Sequence, residues 1–274
     1  RMGKKHGKIT EWFENGQRRI IVNYRMGKKH GKITEWFENG QRKLEENYKE
    51  NKKDGVMSIW YENGQIQQEV NYKENKKDGV MTEWFENGNI TRSKSYKNDA
   101  LVSQTEYACL EKCKITSERN YKDGRLNGKT KMWHYSTGKP VSDVSFKDNI
   151  KHGKWTFWHE NGQIKSEQTY KDGKSEGKFL TWYENGQKEV EENYKNGKNY
   201  GKYIEWYENG QKKLEANYIA DMIDGKLTEW HDNGQIRTIK EYHDEYLTRS
   251  TGWTKSGNIK FKRTYKRGIC VSGC

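Results

Sequence analysis

A single proline stands in this chain of 274 residues. Proline removes a ladder hydrogen bond, so its near-absence leaves room for many paired strands. Aliphatic side chains are scarce too. Leu, Ile, Val and Phe make up about 15% of the chain beside a net charge of +13, a balance that ordinarily marks disorder. No apolar run approaches the roughly 18 residues of a membrane-spanning helix. Cysteine is confined to four positions and histidine to seven. Residue 1 is an arginine inside a repeat, so the chain reads as a piece of a longer protein whose own leader or lipid-attachment cysteine lies outside it. Cytoplasmic and cell-envelope locations both stay open.

Aromatics rescue the ordered reading. The 11 Trp and 18 Tyr, with 27 Gly, fall at fixed positions. Tryptophan returns every 24 residues, at Trp12, Trp36, Trp60 and Trp84 and again at Trp158, Trp182, Trp206 and Trp230. Trp133 is one residue out of step, and Trp253 closes the series one residue early. Such a period is the mark of a linear array, here of roughly eleven units. Residues 1–18 recur letter for letter at 25–42, and Asn47–Met57 recurs at Asn71–Met81. Tandem copies offer the same groups repeatedly, whereas a catalytic pocket needs different groups converging, so no enzyme and no cofactor are expected.

Within a unit, an alternating segment such as Val56–Glu62 precedes Asn63-Gly64, and Gln65–Tyr72 follows. Asn-Gly between alternating segments predicts a β-hairpin closed by a tight primed turn, with positive φ at both central residues. Alternation places Trp60 with Val56 and Ser58 on one face of the first strand. The other face carries Ile9, Met57, Trp155, Phe179 and Tyr203, then Phe13, Tyr61, His159 and Tyr183. A tyrosine stands twelve residues after most of the tryptophans, at Tyr24, Tyr48, Tyr72, Tyr170, Tyr194 and Tyr218. The expected fold is all-β, an elongated tandem hairpin array in which Trp and Tyr ladders supply the core. Eleven hairpins with strands about 4.8 Å apart would extend roughly 100 Å.

The phrase W-[FY]-E-N-G-Q-x-x-x-E-x-x-Y-K-x-G-K-x-x-G-K, strongest over Trp158–Lys202, resembles the variant MORN repeat found in tandem in bacterial proteins, several of them labelled antitoxins of the YwqK family. That resemblance implies an elongated antiparallel ribbon or solenoid with a binding or scaffolding role. It fails at Ala100–Ser117, where the Asn-Gly turn is lost, and at His243–Thr251, where the linking glycines are lost. The organisation expected is four repeats over 1–98, a degenerate repeat with a cysteine pair over 99–121, and six repeats over 122–274.

Charge is sorted by edge. The hairpin turns carry Glu14, Glu38, Glu62, Glu86, Glu160, Glu184, Glu208 and Asp232. The linking turns carry Lys4, Lys28, Lys52, Lys76, Lys151, Lys174 and Lys198, with Lys5, Lys29, Lys53 and Lys77 beside them. This predicts one acidic and one basic edge. The basic edge reads either as a stripe for anionic lipid, phosphate or an acidic protein, or as a solvated edge that keeps a flat array from aggregating. Nucleic acid is disfavoured because the rings are needed for the core. Equivalent carboxylates, and equivalent histidines such as His134, His159 and His231, would stand about 10 Å apart, too far to act as acid/base pairs or to share a metal.

Cys109–Cys113 and Cys270–Cys274 share one spacing but lie more than six units apart, which excludes a joint zinc site in a rigid array. Across the lost turn at Leu110, Glu111 and Lys112, Cys109 and Cys113 are either a local disulfide or free thiols. The function expected is a scaffold for an unidentified protein partner, with a peripheral module on anionic membrane as the alternative. Pairing of two copies through a bare sheet face is a further expectation.

Overall fold

The computed structural model describes residues 3–109 and 113–274. The lost-turn residues Leu110, Glu111 and Lys112 therefore lie outside the described residues. The chain divides into two compact units, Arg1–Gly138 and Lys139–Cys274. Each is a succession of antiparallel hairpins, and no helix occurs among the described residues.

One register recurs. Gly55–Trp60 pairs with Ile66–Lys73 so that Gly55 faces Tyr72, Met57 faces Val70 and Trp60 faces Ile66. Ile59 faces Gln68, so Gln67 is left over as a bulge. The same frame holds for Gly31–Trp36 with Arg42–Lys49, for Gly153–Trp158 with Ile164–Lys171, and for Gly201–Trp206 with Lys212–Ile219. Extra residues in these bulges are the price of a fixed turn on an alternating strand.

The two turn types are the reverse of the sequence expectation. At the Asn-Gly that follows each repeat's Trp only the glycine has positive φ, for example 83° at Gly64, whereas the Asn-Gly of a link, Asn196-Gly197, has positive φ at both residues. Gly64 N–H donates to Tyr61 O at 3.0 Å and Tyr61 N–H donates to Gln65 O at 2.9 Å. That is a three-residue loop, a type I turn closed by a left-handed glycine. The primed turns are the links. Glu74 and Asn75 have φ of 50° and 72°, and equivalent pairs run from Met26-Gly27 to Arg267-Gly268. Such φ values are costly for ordinary residues, and Asn75 is held there by the preceding repeat. Its N–H donates to Lys53 O at 2.9 Å, and its Oδ1 accepts from Lys53 N–H at 2.7 Å.

Register also decides the faces. Directly opposed residues share a face, so Tyr72 lies with Met57 and Val70, opposite to Trp60. The Trp and Tyr ladders line different faces. The tightest packing runs along the Tyr face as a cross-strand row. In the first unit Met57, Val70 and Met81 are neighbours, and Val70 is 1% exposed. The row then turns polar through Lys94, Gln104, Arg119 and Thr130. In the second unit the row runs Trp155, Gln168, Phe179 and Glu192, and further on Tyr203 faces Ala216. The buried apolar residues are non-aromatic, among them Ile33, Val70, Met81, Ala216 and Leu227. The expected ring core is thus a roof of half-buried rings over an aliphatic row. Rings are too large for neighbours only about 4.8 Å away to cover completely.

Candidate interaction surface

The hairpin-turn edge is stitched by asparagine. The Asn of each Asn-Gly accepts from the N–H two residues on, as Asn63 Oδ1 does from Gln65 at 2.9 Å. Its Nδ2 then donates to the next turn: Asn15 to Glu38 O and Asn39 to Glu62 O at 3.0 Å each, Asn161 to Glu184 O at 2.7 Å, Asn185 to Glu208 O at 2.9 Å. For Asn87 the equivalent acceptor position is 110, outside the described residues. The acidic residues on this edge are exposed, with Asp232 paired to Lys255 at 2.6 Å, and their backbone carbonyls carry the ladder.

The ring after each Trp extends the stitching. Tyr61 Oη donates to Trp84 O at 2.9 Å, and Tyr183 and Tyr207 donate to Trp206 O and Trp230 O at 2.8 Å. His159 Nε2 meets Trp182 O at 2.7 Å and His231 Nε2 meets Trp253 O at 3.2 Å. Histidine here replaces a tyrosine rung. Sequence reading missed both ladders, although identical Asn and Tyr or His at a 24-residue period were the available signal.

The predicted basic edge is mixed in sign. Lys4, Lys28, Lys52, Lys76, Lys151, Lys174 and Lys198 are all exposed. Lys28 meets Glu50 at 3.3 Å and Lys52 meets Glu74 at 3.6 Å. The second lysine of each pair is drawn inward over a ring: Lys29 over Tyr48 at 5.1 Å, Lys53 over Tyr72 at 5.3 Å, Lys77 over Tyr96 at 5.1 Å. Lys151 lies over both Trp155 and Tyr170, at 4.6 and 4.7 Å. Such contacts hold the charge by the ring quadrupole.

On the Tyr face several charged groups are paired. Tyr48 Oη donates to Glu46 at 2.9 Å, and Lys53 closes on Glu46 at 2.5 Å. Burial and then the Glu46 hydrogen bond push the Tyr48 phenol up to about 12. Tyr203 is pushed up to about 12 by burial and by Glu205 nearby. Burial also raises Glu192, which accepts from Tyr194 at 2.9 Å.

The Trp face is different. Trp36, Trp60, Trp84, Trp158, Trp182, Trp206 and Trp230 are half-buried, and Trp12 is 56% exposed. Tyr24, Tyr48, Tyr72, Tyr170, Tyr194 and Tyr218 are half-buried on the opposite side. On the Trp face two cations share one carboxylate. Lys178 and Lys188 hold Glu191 at 2.9 and 2.8 Å, and Lys202 and Lys212 hold Glu215 at 3.1 and 2.5 Å. These lysines keep Glu191 and Glu215 below the usual carboxylate range. Lys188 and Lys212 also stand over Trp206 and Trp230, at 5.6 and 5.7 Å.

Cys109 faces Cys113 across the hairpin of Ala100–Cys109 and Cys113–Lys122, bonded with Cα atoms 4.0 Å apart. Cys270 and Cys274 are bonded likewise, at 6.0 Å. Among the described residues no three His, Cys, Asp or Glu gather as metal ligands.

Eight stretches, residues 5–26, 29–50, 53–74, 77–98, 151–172, 175–196, 199–220 and 223–244, match the model of the MORN repeat variant, together more than half of the chain. The chain belongs to the MORN repeat variant family. Each matched MORN stretch contains one hairpin with its Asn-Gly loop. The unmatched middle coincides with the polar part of the row in the first unit. No curated protein matches the chain. Among solved structures, the TcdB2-TccC3 crystal structure is 10% identical over 97% of this chain and 18% of that one, with a TM-score of 0.23. The TcdB2-TccC3-Cdc42 structure is 12% identical over 94% and 18%, at 0.19. A mutant Tc holotoxin pore of Photorhabdus luminescens is 12% identical over 94% and 17%, also at 0.19. The chain spans less than a fifth of those proteins, and superpositions this loose carry no argument.

Proposed function

We propose that this MORN repeat array is a non-catalytic scaffold that binds a protein partner. The observation that carries the reading is the double stitching of successive repeats, by Asn side chains on one edge and by the link residues on the other. A braced array holds repeated groups at fixed spacing, which suits it to present a pre-organised surface. The mixed charge of the link edge favours a protein over an anionic bilayer, since carboxylates such as Glu50 and Glu74 stand among the lysines. A neutralising, antitoxin-like role toward a toxic protein is the specific form suggested by the resemblance to the YwqK family. Affinity capture by the immobilised chain, with vesicles of phosphatidylserine or phosphatidylcholine in parallel, tests the scaffold. A saturable protein partner with no vesicle binding is expected. Salt-sensitive binding to phosphatidylserine alone would overturn the reading. Co-expression with a captured toxic partner should restore growth if the role is antitoxin-like.

A further inference from the structure

On the Tyr face some cations each meet one carboxylate, as in Lys213 with Glu205 at 2.6 Å and Lys240 with Glu229 at 3.2 Å, and others, such as Lys29, Lys77 and Lys151, lie over rings. On the Trp face of the second unit, two successive repeats have two lysines for one glutamate, so each keeps an uncompensated positive charge. The lysine side chains stay 45 to 63% exposed despite their pairing. The surplus comes from one position, the residue that pairs with each Trp across the hairpin. It is Lys188 opposite Trp182 and Lys212 opposite Trp206. In the repeats on either side it is Ile164 opposite Trp158 and Ile236 opposite Trp230, 36 and 39% exposed. Two basic rungs therefore stand between two apolar rungs, all carried on half-buried tryptophans.

We infer that the Trp face of the second unit binds an extended acidic protein segment laid across the strands, its carboxylates on Lys188 and Lys212 and its apolar flanks on Ile164 and Ile236. This inference rests on the scaffold reading and names the partner's chemistry. Charge complementarity selects the occupant. Equivalent lysines in adjacent repeats lie two strand spacings apart, roughly 10 Å, and an extended chain covers that distance in roughly three residues. The preferred segment thus has two carboxylates three residues apart with apolar side chains outside them. Each lysine, already over a ring and against a glutamate, is positioned before the partner arrives, which reduces the ordering cost of binding.

The experiment titrates the whole chain with a synthetic peptide of that pattern, following tryptophan fluorescence. Two controls accompany it, a peptide with Gln in place of the acids and a single-stranded oligouridylate. The double variant Lys188→Gln/Lys212→Gln is compared with Lys174→Gln/Lys198→Gln, which removes the same charge from the link edge. Binding of the acidic peptide that weakens with salt and falls roughly tenfold in the first variant only is expected. Equal loss in both variants, equal binding of the Gln peptide, or preference for the oligouridylate overturns the inference. If the first variant still captures a protein partner as well as the parent chain does, the scaffold stands and this face is not its docking surface. If neither peptide nor protein binds, both readings fall.

Discussion

The two units share one backbone frame and fill it differently. In the first, the row of the Tyr face is aliphatic and thioether at Met57, Val70 and Met81 and then polar from Lys94 to Thr130. In the second it is built on Trp155, Phe179 and Tyr203, and among the described residues every close ring pair lies there, from Phe146 against Trp155 at 5.2 Å to Tyr203 against Tyr218 at 5.9 Å. The ring after Trp differs in parallel. It is Phe13, Phe37, Tyr61, Phe85 and His134 in the first unit but His159, Tyr183, Tyr207 and His231 in the second, where all four bond the next Trp carbonyl. Register and turns are the same in both. The row's composition therefore does not choose the fold; turn geometry and the inter-repeat rungs do, and the row only has to fill the space they enclose.

The widest gap between the units should open at Trp155. Trp155→Ala removes a ring that contacts Phe146 and Tyr170, and an indole N–H that donates to Ser145 O at 2.8 Å. It is expected to cost the second unit about 3 kcal/mol in urea unfolding. Amide exchange should show protection retained at Met57–Met81, and equal loss in both units would break the comparison. A smaller effect is expected at Asn185→Ala, about 1 kcal/mol, since the rung to Glu208 O is removed while the turn keeps its glycine. Faster amide exchange confined to the adjoining hairpins checks it. The ring rungs can be exchanged between units. Tyr207→Phe should lose about 1 kcal/mol and Phe37→Tyr gain about half that, by thermal denaturation. No gain at Phe37 would mean the neighbouring Trp carbonyl is already satisfied by water. Smallest of all is the alkaline limb. Tyr48 in the first unit and Tyr203 in the second both have folded pKa values raised to about 12. Their contribution is complete below the unfolded value near 10 and is lost as pH rises from there through about 12. Spectrophotometric titration should show both phenols ionising late, and Tyr203→Phe should remove one late step.

Much of this was legible. The period, the hairpin and its Asn-Gly loop, and the alternation of each strand follow from local spacing, because turn residues and two-residue alternation act over a few positions. Other features were hidden for a physical reason. Asn-Gly suits a primed turn in isolation, yet in the hairpin loops it forms none, while primed turns stand at Glu50-Asn51 and Glu74-Asn75, pairs with weak local signal that the neighbouring repeat holds in place. Lys5, Lys29 and Lys53 looked equivalent to Lys4, Lys28 and Lys52 on a basic edge. Their strand positions instead turn them onto Tyr24, Tyr48 and Tyr72.

The sequence by itself determined that this is an all-β array of 24-residue hairpins, where each turn falls, and which segment departs from the pattern, since all of these depend on contacts within one repeat. Tertiary structure alone decided that Trp and Tyr occupy opposite faces, that Asn63 and Tyr61 act on the next repeat, and that Glu191 and Glu215 on the Trp face are each shared by two lysines. These depend on cross-strand register, set by one bulge residue per hairpin, and on partners 22 or 23 residues away that no local window contains.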